Sequence, residues 1–107
     1  MSCEQQWIDV SQFIKLKRGE MIDFDYDEKK IVILNINGKF FASDRICTHA
    51  SIDMIGGSVN EAAKTITCPL HLSSFDLNSG NPLNLPAEKP IHIYQIRKEK
   101  NKLLILL

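Results

Sequence analysis

No apolar run in this 107-residue chain approaches the length that spans a bilayer, about 20 residues. No charge of one sign prevails either, since thirteen Lys and Arg offset thirteen Asp and Glu. Without a basic excess there is no electrostatic footprint for nucleic acid or an anionic membrane, and neither partner is expected. Cysteine is sparse: three residues, an odd number that argues against a disulfide framework. Cys3, near the end of the chain, reads as a bystander. Residues 1–6 carry neither the basic nor the apolar part of a secretory signal, so a cytoplasmic location is expected. Repeats, low-complexity tracts and linkers are missing as well. At 44% hydrophobic and 24% charged, the composition is that of one globular domain over residues 1–107. Two binding motifs are also absent. Gly56-Gly57 is followed by no Gly-Lys-Ser/Thr and no helical pattern, which excludes a phosphate loop. Asp23, Asp25, Asp27 and Glu28 alternate with Phe24 and Tyr26 as on a half-exposed strand, without the glycine and terminal Glu of a calcium loop.

What is present is concentrated between Cys47 and His71. Cys47-Thr48-His49 is a CxH, and Cys68-Pro69-Leu70-His71 is a CxxH, with eighteen residues between them. On an extended loop, residues two apart point to one side. Around a turn containing proline, residues three apart converge. Two short loops can therefore offer two thiolates and two imidazoles to one place. A structural zinc ion accepts such a set, but its limbs usually pair like with like. Mixed limbs suit a two-iron centre better, with one Cys from each loop on one iron and one His from each loop on the other.

At this point the sequence resembles the Rieske family, in particular its small ferredoxins. Residues 44–49, Asp-Arg-Ile-Cys-Thr-His, resemble the first cluster-binding loop. Cys68 to His71, then Phe75-Asp76-Leu77 and Ser79-Gly80, resemble the second. Leu85-Pro86-Ala87 and Lys89-Pro90-Ile91 resemble the proline loop that covers the cluster. The cluster-binding region then spans about residues 44–90. The resemblance implies a [2Fe–2S] cluster held by Cys47, His49, Cys68 and His71, with Ser73 hydrogen-bonding a sulfide and Pro86 in the cover. It also implies one-electron transfer from a reductase to a terminal oxygenase or similar enzyme, with docking near His49, His71, Leu72 and Pro86. No catalytic residue and no oligomer are implied. Two further readings stay open: a small Rieske subunit of a nitrite or arsenite oxidoreductase, and a zinc-binding structural module. Leu72 stands where the family commonly has Gly, and a Cβ there restricts the backbone. Ile52 and Leu70 stand where high-potential members have a bridging Cys pair. Phe75 stands where those members have Tyr, so a low to intermediate potential is expected.

Around the motifs, strands are expected at 7–10, 20–26, 31–36, 39–42, 64–67, 91–96 and 103–107. Asn37-Gly38, between two apolar runs, predicts a type I′ hairpin. A short amphipathic helix is possible at 11–17. Trp7 is expected in the core, His92 in an ordinary strand, and Lys15, Lys17 and Arg18 in a solvated loop. Many short strands between turns give an all-β class. The resemblance implies stacked antiparallel sheets, sandwich or barrel, with the ligand loops at the tip.

Overall fold

The structure, a computed structural model, describes residues 5–48, 52–70, 72–85 and 87–107. Among the described residues there are ten strands: β1 (Trp7–Asp9), β2 (Met21–Tyr26), β3 (Lys29–Ile36), β4 (Lys39–Asp44), β5 (Ser58–Asn60), β6 (Thr65–Thr67), β7 (Ser74–Asp76), β8 (Ile93–Tyr94), β9 (Ile96–Glu99) and β10 (Lys102–Leu106). They form three antiparallel sheets, ordered β1-β10-β9, β2-β3-β4-β8 and β5-β6-β7. Among the described residues the one helical piece is a 3-10 turn at Ser11–Phe13, shorter than the helix considered at 11–17. Its entry is fixed by Asp9, whose carboxylate accepts from the Ser11 N–H at 2.8 Å.

The central sheet has an apolar core on each face. Side chains alternate across a strand, and in β3 both sets are apolar. Ile31 and Ile33 join Val10, Phe40, Ala42, Tyr94, Leu103, Ile105 and Leu107 in a basal core. Val32, Leu34 and Ile36 join Phe41, Cys47, Met54, Ile66, Cys68, Phe75 and Leu77 in a second, ligand-side core. The β1-β10-β9 sheet closes the first core and the β5-β6-β7 sheet closes the second. Asn35, the polar exception in β3, is 8% exposed. It donates to the Leu16 carbonyl at 2.7 Å and accepts from the Gly38 N–H at 2.8 Å, so its burial is compensated.

The hairpin at Asn37-Gly38 forms as expected, with φ of 53° and 91°, the positive pair a type I′ turn requires. Three expectations change. Trp7 is 36% exposed: its ring packs under the Arg97 guanidinium at 4.2 Å, because in β1 it is Ile8 that packs on the basal core and Trp7 points to the opposite face. The run 91–96 is two strands, β8 in the central sheet and β9 in the outer one, since the chain changes sheets at Gln95, whose carbonyl accepts from Leu106. His92 lies exposed just before β8. Strands β5 and β7 are too short and polar to show as periodic runs.

Ile33→Ala and Leu34→Ala should each lower the unfolding free energy by about 2–5 kcal/mol, read from urea titrations. Hydrogen exchange should separate them: Ile33→Ala loosens amides in β10, and Leu34→Ala loosens amides in β6 and β7.

Candidate metal centre

The first ligand loop leaves the central sheet at Asp44 and is held by its own main chain. The Arg45 N–H donates to the Lys30 carbonyl at 2.8 Å and the Cys47 N–H to the Ile52 carbonyl at 2.8 Å, while the Arg45 carbonyl accepts from Met54 at 2.7 Å. Ile46 and Asp53 face each other as a β-bridge. These contacts fold 45–47 against 52–54 and leave Cys47 2% exposed.

Beneath the loop lies Arg45, whose side chain is 7% exposed. Its Nη1 stands 2.9 Å from Asp25 and 3.6 Å from Asp23, and its Nε 3.0 Å from Asp53. The contacts are ionic, because neither nitrogen has a partner in aligned hydrogen-bond geometry. Three carboxylates around one buried cation join β2 to the loop on both sides of Cys47. Asp44 adds a second tie: it accepts from the Tyr94 hydroxyl at 2.7 Å and from the His92 N–H at 3.2 Å. Burial, and then the Asp44 carboxylate, push the Tyr94 phenol above its ordinary pKa, so it stays a donor.

The second ligand loop is the turn of the β6–β7 hairpin. Thr67 pairs with Ser74, and their hydroxyls lie 2.7 Å apart. Within the loop, the Cys68 N–H donates to the Ser73 carbonyl at 2.8 Å, and the Leu72 N–H to the Cys68 carbonyl at 3.1 Å. Leu72 takes φ of 59°, a left-handed conformation that costs a side-chain-bearing residue roughly 1–2 kcal/mol. Leu72 occupies the region of φ that glycine favours and its side chain is 64% exposed.

Residues 82–91 close the site. The Leu83 N–H donates to the Ser74 carbonyl at 2.8 Å. The Ala87 N–H donates to Ser73 Oγ at 3.2 Å, and Thr48 Oγ1 donates to the Lys89 carbonyl at 2.8 Å. Just before this segment, Gly80 has φ of 83°, and a Cβ there would meet the Ile91 carbonyl oxygen at 2.1 Å. Asp76 fastens the same turn by accepting from the Ser79 hydroxyl and N–H at 2.7 and 3.0 Å. These bonds, the hydroxyl first, hold its carboxyl below its ordinary pKa.

Of the expected site residues, Cys47 and Cys68 are brought into one core, both buried, and Ser73, five residues after Cys68, is fully buried. His49, His71 and Pro86 lie outside the described residues, as does Cys3. Around the site Leu70, Leu72, Leu83 and Leu85 are 56%, 64%, 56% and 72% exposed. Arg45 lies within the first motif but its ionic role has no signal there, and Asn84 lies outside the motifs, because the partners of both come from distant segments.

The sequence model describing the Rieske [2Fe-2S] domain matches residues 6–95. The chain belongs to the Rieske [2Fe-2S] domain family. Among its Rieske relatives, the ferredoxin component of the naphthalene 1,2-dioxygenase/salicylate 5-hydroxylase systems of a Ralstonia species is 29% identical over 94% of this chain and 95% of the relative. The 3-phenylpropionate/cinnamic acid dioxygenase ferredoxin subunit of Shigella flexneri is 36% identical over 81% of this chain and 80% of its own. The solved ferredoxin of carbazole 1,9a-dioxygenase from Nocardioides aromaticivorans superposes with a TM-score of 0.80 at 27% identity, over 85% of this chain and 88% of the other. The Rieske cofactor is a [2Fe–2S] cluster, and the residues present fit it. Two buried thiols, one from each of two cross-braced loops, are the soft donors an iron–sulfur cluster takes.

Arg45→Met should leave Asp23, Asp25 and Asp53 gathered without a counter-charge and cost about 1–3 kcal/mol, measured by urea unfolding. Arg45→Lys should recover only part, because an ammonium lacks the planar fork that reaches both sides of the loop.

Proposed function

We propose that the protein is a one-electron carrier in which residues 1–107 act as a single Rieske-type domain. The observation that carries this is the burial of Cys47 and Cys68 in one core, at the ends of loops braced to each other through residues 82–91. Cys47 and Cys68 serve as thiolate ligands to the inner iron, and His49 and His71 as imidazole ligands to the outer one. When bound, the cluster supplies a one-electron site whose potential lies above that of all-thiolate clusters, because two neutral ligands replace two charged ones. Ser73 keeps its hydroxyl proton available, since its oxygen accepts from Ala87; with the cluster bound it would donate toward a sulfide and raise the potential. Phe75 has no hydroxyl to add a second such bond, which sets the potential in the low to intermediate range. Pro86 belongs to the covering segment.

The direction of transfer is from a reductase to a terminal oxygenase, supported by relatives named as ferredoxin components of dioxygenase systems. Docking occurs around His49, His71, Leu72 and Pro86, where the four exposed leucines exclude water from a small contact suited to a transient encounter. The carrier works as a monomer: the β9 edge carries Arg97, Lys98 and Glu99, charges that discourage edge pairing. It works in the cytoplasm, a reducing compartment where two thiols remain available for iron.

Protein purified without oxygen should contain about two iron and two acid-labile sulfide per chain. After dithionite reduction it should show the low average g-value of a His-ligated cluster. One zinc and no sulfide would overturn the reading. Ser73→Ala should lower the midpoint potential, and an unchanged midpoint would remove its hydroxyl from the account. Leu72→Asn keeps a residue that tolerates positive φ but removes the apolar side chain. It should slow electron delivery to the oxygenase roughly tenfold, read by stopped-flow.

A further inference from the structure

Leu72 is held where a leucine does not go unaided. Its φ is 59°, its side chain is exposed, and a strained residue of this kind persists only where its surroundings over-determine it. Among the described residues, the surroundings include main-chain contacts and the side chain of Asn84. Asn84 Nδ2 donates to the Leu72 carbonyl at 3.1 Å, and Asn84 Oδ1 accepts from the Ser74 N–H at 2.7 Å. The amide therefore clasps the two main-chain groups that flank Ser73. Only one orientation of the amide satisfies both contacts, since the Leu72 oxygen can only accept and the Ser74 nitrogen can only donate. The neighbouring bond from Leu83 to the Ser74 carbonyl, 2.8 Å, sets the register of Asn84 against the loop.

We propose that Asn84 is the positioning residue of the second ligand loop: its amide holds Leu72 in the left-handed conformation, and through it fixes how Cys68 and Ser73 are presented. The link to Cys68 is direct, because the Leu72 N–H bonds to the Cys68 carbonyl at 3.1 Å and the Ser73 carbonyl accepts from the Cys68 N–H at 2.8 Å. Releasing Leu72 lets the loop relax toward negative φ and pulls on both bonds. Glycine at 72 has no such preference, so the clasp matters only because a side chain stands there. Asn84 lies at the surface, and its replacement leaves both cores intact.

This inference rests on the reading of Cys68 as an iron ligand, and its test has an arm that does not. Wild type, Asn84→Ala, Leu72→Gly and the double variant are compared by the rate at which a chelator bleaches the visible absorption, and by midpoint potential. Asn84→Ala should bleach roughly tenfold faster, the order expected for losing two hydrogen bonds, and should shift the midpoint. In the Leu72→Gly background the same change should alter the bleaching rate less than threefold and leave the midpoint in place, a non-additivity expected of residues acting as a unit. Asn84→Asp keeps the size and the acceptor but sets a carboxylate oxygen against the Leu72 carbonyl, and should behave like Asn84→Ala. Equal factors in both backgrounds, or an Asn84→Asp protein indistinguishable from wild type, would overturn the proposal. The independent arm is amide exchange at Ser74 in metal-free protein, which should be faster in Asn84→Ala. If wild type holds no iron and sulfide, the carrier reading fails while this arm still tests the clasp; unchanged exchange sinks the clasp itself.

Discussion

Burial of β3 on both faces is the constraint from which the other contacts follow. A strand with no watered side must be covered twice, and the chain supplies one sheet for each face. The odd residues Ile31 and Ile33 require the β1-β10-β9 sheet, and the even residues Val32, Leu34 and Ile36 require β5-β6-β7. A one-residue slip would bring Asn35 to the ligand-side core and break its bonds to Leu16 and Gly38. Both thiols belong to the even-face core, so their placement is inherited from the register of the central sheet.

On that base the site is built from main-chain bonds and a few polar side chains. Each ligand loop is a hairpin end whose first residues are already paired, and residues 82–91 close across both. Arg45 secures the first loop from below by charge; Asn84 grips the second from the side by two directed bonds. Preorganisation of this kind lets a cluster change charge by one electron without a large rearrangement of its ligands. The apolar tip has a different task. Leu70, Leu72, Leu83 and Leu85 stand in water, and in the proposed carrier they would serve the contact with a redox partner.

Much of this was legible in the chain. The spacing of Cys47, His49, Cys68 and His71 pointed to the Rieske family, and Asn37-Gly38 located its hairpin, because each signal is local in the chain. The strands with strong periodicity, β3 and β10, were legible for the same reason. What stayed hidden depends on separation. Arg45 finds Asp23 and Asp25 through the sheet register, Asn84 reaches Leu72 through a loop crossing, and Thr48 reaches Lys89 over 41 residues. The exposure of Trp7 follows from which face of the β1-β10-β9 sheet meets the basal core, the face of Ile8, and that depends on the packing of whole sheets.

The pairing of the first strand with the last has a bearing on how the protein is made. Trp7 faces Leu106 and Asp9 faces Leu104, and Ser11 accepts from Leu103 across 92 residues. During synthesis β2, β3 and β4 can pair as soon as they emerge, each with its neighbour. The basal face of that meander then waits, its Ile31, Ile33, Phe40 and Ala42 uncovered, until residue 106 has left the ribosome. The ligand-side face is completed earlier, by segments ending near residue 91. The half that holds the two buried thiols can thus be shaped while the other still needs shielding from the apolar surfaces of other nascent chains.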